Sequence, residues 1–99
     1  MLLVSGANRV DIKKVRKFTG RENLRMASAK EVKKLTGFAV GGVPPIGFDT
    51  QPPTIIDADL LNYDIVYADG GNPFTLFPIS PAKLKEITEA QVCSLKSEN

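Results

Sequence analysis

The chain has 99 residues and a net charge of +2; 42% of its residues are hydrophobic, 24% are charged, one is a cysteine (Cys93) and none is a histidine. These proportions are typical of a globular domain, and no apolar run approaches the roughly 20 residues that span a bilayer. Ser-His-Asp and Cys-His catalysis are excluded because the imidazole base is missing. A lone cysteine also excludes an internal disulfide and a zinc site built on Cys and His. We therefore predict one domain over residues 1–99, in the cytoplasm, with no metal, no cofactor and no membrane partner.

The charge is distributed unevenly along the chain. Up to Thr36 there are ten Lys and Arg residues against three acids, a net +7, whereas the remainder holds three against eight, a net −5. Clustered cations attract phosphate backbones without reading a sequence. The alternative is that these cations only solvate the exposed faces of two short helices, and the sequence leaves both interpretations open.

The first predicted elements are a strand and a helix. The apolar run Leu2–Val4 is typical of a strand. Asp11 is placed to cap a helix that runs to about Phe18 and ends at Gly20. Residues 24–27 favour a second short strand.

A second helix is predicted from a capping pattern. Ser28 and Glu31 have the Ser-x-x-Glu spacing in which each side chain accepts a backbone N–H of the other residue. Val32 and Leu35 would form the apolar face of the helix, and Gly37 would end it.

The second half of the chain predicts four more strands and a third helix. Ser80 and Pro81 are typical of the N-cap and the first position of a helix that runs to about Ala90. Interleaved strands and helices indicate an α/β or α+β fold with a mixed sheet. The strands are predicted at 54–57, 63–68, 74–79 and 91–95, with one helical turn or a simple turn at 58–62, a turn at 69–72, irregular chain at 37–53 and a frayed end at 96–99.

Residues 41–47, GGVPPIG, are the most informative segment. Two consecutive glycines allow positive φ and a close approach of the backbone to a ligand, and two prolines stiffen the exit from the loop. A rigid loop of this kind can aim N–H groups at a carbonyl oxygen and stabilise an oxyanion. The alternative is an ordinary turn between a helix and a strand.

The order of these segments resembles a known family. The run LRMASAKEVKKLTGFAVGGVPPIG, residues 24–47, is similar to the signature of the YbaK/ProX family of aminoacyl-tRNA editing domains. It contains an Ala-Ser pair, a capped helix, a Thr-Gly-aromatic step and a Gly-rich loop that reaches Pro and Gly. The similarity covers nearly all of the chain in order, and continues at Gly6–Val15, at Ile56-Asp57, and at Ile79-Ser80-Pro81 with Leu84 and Ala90.

The resemblance implies a barrel-like mixed sheet with short flanking helices and an activity in tRNA quality control. Members of the family hydrolyse the ester of mischarged tRNA, most often tRNA for proline, so the implied partners are the acceptor end of aminoacyl-tRNA and prolyl-tRNA synthetase. Without histidine or metal, water would be activated by backbone amides and the terminal ribose hydroxyl of the substrate. The implied carbonyl-holding, catalytic positions are Gly41, Gly42 and Val43, the substrate-binding ones are Ala27, Ser28, Pro44, Pro45, Gly47, Asp57, Gly70 and Gly71, and the tRNA-binding ones are Lys13, Lys14, Lys17, Lys33 and Lys34.

Two departures from the family leave alternatives open. Its members usually run about half as long again, with an N-terminal region carrying a Lys implicated in substrate binding, and none of the present lysines lies in that motif. Residues 68–71 lack the His of relatives that clear alanine, which argues against that specificity. The chain is therefore an active deacylase, an inactive remnant of the same fold that binds tRNA or a synthetase, or a fragment whose sheet a partner chain completes. A homo-oligomer is left open, and for Asp57 the alternative role is to cap the turn that begins at Ala58.

Overall fold

The strands form one parallel sheet and one antiparallel pair. The computed structural model describes residues 1–48, 50–72 and 74–97. In the sheet, a central strand pairs in parallel on one side with the first strand of the chain and on the other with the last. The pair is a hairpin with the register Val66 to Ile79. The strands are β1 (Leu2–Leu3), β2 (Ile55–Asp57), β3 (Val66–Asp69), β4 (Leu76–Ile79) and β5 (Gln91–Cys93), with the sheet order β1-β2-β5 and the hairpin β3-β4.

Three helices of eight residues flank the strands, and each begins where its cap was predicted. The Asp11 side chain accepts the Lys13 N–H, and the capping box of Ser28 and Glu31 is present in both directions. None of the helices among the described residues is long and apolar enough to cross a membrane. The helices are α1 (Ile12–Thr19), α2 (Ala29–Thr36) and α3 (Pro81–Thr88), and a 3-10 turn covers Ala58–Asn62.

The core lies on both faces of the central strand β2. Its successive side chains point to opposite sides, so Ile55 packs with Val15 of α1 and with Leu95, whereas Ile56 packs with Leu84 of α3. Burial on both faces explains why this strand reads as a continuous apolar run, as parallel strands commonly do. The predicted α/β class with short flanking helices is confirmed, although the described strands form two hydrogen-bonded groups and not one mixed sheet.

Residues 95–97, which we call the C-terminal clasp, fasten α1 to the sheet. The Leu95 carbonyl accepts the Asp11 N–H at 2.7 Å, and the Ser97 N–H donates to the Arg9 carbonyl at 2.6 Å. Lys96 forms an isolated bridge with Val10, and its carbonyl accepts the Lys14 ammonium at 2.9 Å. The predicted fraying is therefore wrong for residues 96 and 97, because main-chain partners from the start of α1 hold them; Glu98 and Asn99 lie outside the described residues.

One other expectation about the first half of the chain is wrong, and the apolar face predicted for α2 is present but not buried. Residues 24–27 form no strand; Leu24 packs against the core cluster of Val15 instead, and its carbonyl accepts the Arg16 Nε–H at 2.9 Å. Leu35 is 79% exposed, and α2 buries none of its side chains among the described residues. The helical period was read correctly, but the face it creates is only partly covered, with Val32 half-buried and Leu35 exposed. The irregular stretch predicted at 37–53 includes Asp49, which lies outside the described residues.

Candidate functional site

A cleft of about 510 Å³ is lined by residues of both the parallel sheet and the hairpin. Residues 1–6, which include β1, line one wall, and residues 65–69, which include β3, line the other. Val43 and Pro45 contribute from the Gly-rich loop, and the buried Leu60 and Leu84 also line the cleft. A volume of this size is typical of small-molecule sites.

The two strands that line the cleft have unsatisfied edges. Among the described residues β1 pairs only with β2, and β3 pairs only with β4. Each strand therefore keeps one row of backbone N–H and C=O groups without a strand partner. Both strands contribute residues to the same cleft.

The Gly-rich loop that follows α2 is folded back on itself. Gly41 and Gly47 adopt φ of 90° and 96°, which L side chains rarely adopt. The rings of Phe38 and Phe48 meet edge to face with centroids 6.1 Å apart, closing the loop at its ends. The Pro45 carbonyl accepts the Gln51 side-chain amide at 2.9 Å. These contacts hold the middle of the loop in one position against the cleft.

Of the catalytic positions that the resemblance implies, Val43 lines the cleft. Gly42 donates its N–H to the Ala39 carbonyl at 3.0 Å, so this amide is already used in a turn. Within the described part of the chain the Val43 N–H has no hydrogen-bond acceptor. Gly41 and Gly42 shape the loop without lining the cleft. Among the substrate-binding positions in the loop, Pro45 lines the cleft, and Pro44 and Gly47 do not.

Ala27 and Ser28 lie outside the cleft, at the exposed start of α2. The Ser28 hydroxyl accepts the Glu31 N–H at 3.2 Å, and the Glu31 carboxylate accepts the Ser28 N–H at 3.1 Å. Arg25 makes a two-pronged contact with the same carboxylate at 2.9 and 2.8 Å. The pKa of Glu31 is lowered to about 2. The hydrogen bond from the Arg25 side chain is the largest cause, and the hydrogen bonds with the Ser28 N–H and hydroxyl contribute less. The polar groups of Ser28 are thus engaged in capping the helix.

Asp57 is fully buried at the end of the central strand and does not line the cleft. One carboxylate oxygen accepts the Leu95 N–H at 2.8 Å, and the other, Oδ2, has no hydrogen-bond partner in the described parts of the chain. The capping role is wrong, because the Asp57 side chain makes no cap hydrogen bond to the turn at Ala58. Its carboxylate instead fixes the C-terminal clasp to β2.

Gly70 and Gly71 form the tip of the hairpin next to the cleft. A side chain at Gly70 would lie 2.7 Å from the Thr75 methyl group, and one at Gly71, where φ is 103°, would lie 3.4 Å from the Phe38 ring. The hairpin tip at Gly71 therefore lies close to the Phe38 ring. Neither glycine lines the cleft.

The sequence reasoning missed a wall of alternate residues before that tip. The side chains of Tyr63, Ile65 and Tyr67 are 47%, 51% and 71% exposed, and together with Asp69 they line the cleft. The sequence pattern places Asp69 only in the turn predicted at 69–72. The predicted strand at 63–68 was the available signal, because Tyr63, Ile65 and Tyr67 alternate along it.

The five predicted tRNA-binding lysines lie in or next to the first two helices. Lys13 and Lys17 are exposed and four residues apart, so they share one face of α1. The Lys14 ammonium is bound to the Lys96 carbonyl, and that of Lys33 caps the end of α2 through the Gly37 carbonyl at 2.9 Å. Lys34 is exposed.

Comparison with known proteins assigns the class. The sequence profile of the aminoacyl-tRNA editing domain family matches residues 1–87. A solved structure described as that of a candidate trans-editing enzyme for prolyl-tRNA synthetase superposes with a TM-score of 0.90 at 49% identity, over 97% of this chain. The chain therefore belongs to the aminoacyl-tRNA editing domain family, as its resemblance to YbaK/ProX proteins indicated.

Two curated relatives show the range of the family. EbsC of Enterococcus faecalis, described as a candidate Cys-tRNA(Pro)/Cys-tRNA(Cys) deacylase, is 24% identical over 97% of this chain. The uncharacterised protein YwhH of Bacillus subtilis is 29% identical over 93% of it. The chain spans 58% of the length of each relative and 60% of the solved trans-editing structure.

Proposed function

We propose that this protein hydrolyses the ester of mischarged aminoacyl-tRNA, with tRNA for proline as the substrate to test first. The observation that supports this most is that the Gly-rich loop contributes Val43 to a cleft of about 510 Å³, and that the Val43 N–H has no acceptor among the described residues. The names of the relatives supply the substrate class, and the description of EbsC makes cysteine the first amino acid to test.

The chemistry proposed for this cleft is water attack on an activated ester. Water adds to the acyl carbon, the negative charge that develops on the carbonyl oxygen is stabilised by backbone N–H groups of the loop, and the bond to the ribose oxygen then breaks. The products are a free amino acid and tRNA with its terminal hydroxyl restored, and the proton lost by water ends on that hydroxyl. Since the chain has no histidine, the ribose hydroxyl of the substrate is the proposed proton carrier.

The test is deacylation of Cys-tRNA for proline by the wild type and two variants. Val43→Pro removes the N–H of the loop, whereas Val43→Ala shortens the side chain and keeps the N–H. We expect Val43→Pro to lower the hydrolysis rate by about 100-fold or more, the typical cost of losing one oxyanion donor, and Val43→Ala to stay within a few-fold of the wild type. Circular dichroism and thermal melting check that both variants fold. Equal hydrolysis rates for the two folded variants would show that the Val43 N–H does not take part in the reaction.

A second candidate function is binding without turnover. It is favoured by the edges of β1 and β3, which have no further strand partner among the described residues. In this case the chain binds tRNA, or prolyl-tRNA synthetase, and leaves the ester intact. Turnover by this 99-residue chain rejects the second function, and tRNA binding without any turnover of the tested substrates rejects the first. The cytoplasmic location and the oligomeric state stay predictions.

A further inference from the structure

Asp69 is a charged residue on the cleft wall that has no role in the proposed hydrolysis. It is the last residue of β3, it pairs with Leu76 across the hairpin, and it is half-buried. Within the described residues its carboxylate has neither a hydrogen bond nor an ion pair. The polar groups of the hairpin tip bond to one another, since the Asn72 carboxamide oxygen accepts the Phe74 N–H and the Thr75 hydroxyl. The Asp69 carboxylate is therefore left to the cleft.

The surroundings of this carboxylate favour a cation. The side chains that line the cleft are mostly apolar, and that of Asp69 is the one charged side chain among the described lining residues. The other charged group there, the ammonium of Met1, donates to the Pro53 carbonyl at 2.7 Å, and burial lowers its pKa. A carboxylate beside apolar walls gains more from a bound cation than one in open water does, because the local dielectric is lower.

We propose that Asp69 binds the α-ammonium group of the aminoacyl ester. This inference rests on the proposed function, and it deepens it by naming which substrates the cleft accepts. In an α-amino acid ester a single carbon separates the ammonium nitrogen from the carbonyl carbon, so both groups enter the same small site. Val43 and Asp69 line one cleft, and they offer an N–H for the carbonyl oxygen and a carboxylate for the ammonium.

The consequence is selectivity for free aminoacyl groups over N-acylated ones. A peptidyl or N-acetyl ester has a neutral amide in place of the α-ammonium group. The Asp69 carboxylate therefore has no cation to pair with when such an ester occupies the cleft. Leaving a charged group unpaired costs more than losing a neutral hydrogen bond. The site would thus spare peptidyl-tRNA, whose ester is otherwise the same.

The test uses a pair of stable amide analogues, so that it does not depend on turnover. The probes are 3′-(cysteinylamino)-3′-deoxyadenosine and its N-acetyl derivative, titrated into the protein by NMR at about pH 6, where α-amino groups are protonated. We expect the free amine to bind about tenfold or more tighter than the acetylated probe, as a charge-assisted hydrogen bond implies. Shifts should centre on the amides of Tyr67, Asp69 and Val43.

Two substitutions separate this contact from general electrostatics. Asp69→Asn keeps the shape and removes the charge, and we expect it to abolish the discrimination between the probes by weakening only the free amine. Asp64→Asn removes the same charge from an exposed residue five positions earlier that does not line the cleft, and we expect it to leave the discrimination intact. If Asp69→Asn discriminates as strongly as the wild type, or if neither probe binds in the cleft, the inference is overturned.

The outcomes for the two proposals are distinguishable. Discrimination that depends on Asp69 without any ester hydrolysis supports this inference and rejects the deacylase. Hydrolysis that treats free and N-acetylated Cys-tRNA alike, in the wild type and in Asp69→Asn, supports the deacylase and rejects the role of Asp69.

Discussion

At the scale of single residues, local polar pairs were the most predictable feature of this protein. The capping box of Ser28 and Glu31 follows from a spacing of three residues, because the helix itself brings the two groups together. Arg25, which joins the box through Glu31, lies in irregular chain, and nothing in its spacing predicted the contact. Sequence reasoning therefore found the cap and missed the ion pair that reinforces it.

This ion pair predicts a specific dependence of stability on pH. The pKa of Glu31 is about 2 in the folded protein, below its ordinary value of 4.5, so the unfolded chain binds more protons between these two pH values. The stabilising contribution is complete above about pH 4.5 and is lost as the pH falls toward 2. We expect Arg25→Ala to raise the pKa of Glu31 and to be less stable than the wild type at pH 6, by an amount that vanishes near pH 2.

Urea unfolding at a series of pH values, together with an NMR titration of the Glu31 carboxyl group, measures both effects. Arg21→Ala is the matched control, since Arg21 is also exposed and its side chain does not take part in the box. A constant difference between wild type and Arg25→Ala from pH 6 to pH 2 would contradict the prediction. Because the pair is exposed, added salt should also weaken its effect.

At the scale of elements, the positions of helices and strands were largely predictable, and their environments were not. Periodicity and caps located α1, α2 and α3 to within a few residues. Leu35 shows the limit, because a helical apolar pattern predicts a face but not the element that covers it. Residues 24–27 show another, since apolar residues without a neighbouring strand to pair with remain irregular.

The exposed face of α1 predicts how the chain meets tRNA. Lys13 and Lys17 share this face and point into solvent. If they contact phosphates, the double variant Lys13→Ala with Lys17→Ala should weaken tRNA binding and reduce the slope of log K against log salt by about 1 to 2 units. Fluorescence anisotropy of labelled tRNA at several salt concentrations measures both quantities.

The control for this prediction is a second pair of exposed lysines on a different helix. Lys83 and Lys85 lie on α3, in the part of the chain that carries excess negative charge. Replacing both with alanine removes the same total charge, and we expect the salt slope to change less than it does for the pair on α1. Equal losses from the two double variants would show that net charge, and not the α1 face, governs binding.

At the scale of the whole molecule, the long-range contacts are what the sequence did not reveal. Asp57 and Leu95 are 38 residues apart, and no local pattern connects them. The same holds for the cleft, whose lining includes residues 1–6, Val43, Pro45, Tyr63 and residues 65–69. The resemblance to a family predicted the loop that borders this cleft, because the loop has a recognisable local signature, but it did not predict the wall that β3 contributes.

The buried contact of Asp57 predicts a difference between two substitutions. Asp57→Ala leaves the Leu95 N–H buried without an acceptor, and we expect it to cost about 1–3 kcal/mol of the free energy of unfolding. Asp57→Asn keeps an oxygen acceptor for that N–H and removes a buried charge whose second oxygen has no partner among the described residues, so its cost should be smaller. Urea denaturation measures the free energy of unfolding of both variants and so compares the two losses.

A loss for Asp57→Asn equal to or greater than that for Asp57→Ala would show that the charge itself stabilises the fold. Deacylation by the two variants then addresses the role implied by the family. If Asp57 acts only through the clasp, residual activity should follow the fraction of folded protein, whereas a contact with substrate would lower activity in the fully folded Asp57→Asn.

The C-terminal clasp also constrains the order in which the molecule takes shape during translation. The helix that presents Lys13 and Lys17 is synthesised early, yet the carbonyl that receives Lys14 comes 82 residues later. Until residues 95–97 have left the ribosome, the hydrogen bonds that hold α1 to the C-terminal clasp cannot form. The parallel pairing of β2 with β5 is also incomplete at that stage. We therefore expect α1 to be poorly ordered in a nascent chain that is halted before residue 94. Proteases should then cleave the chain readily within α1.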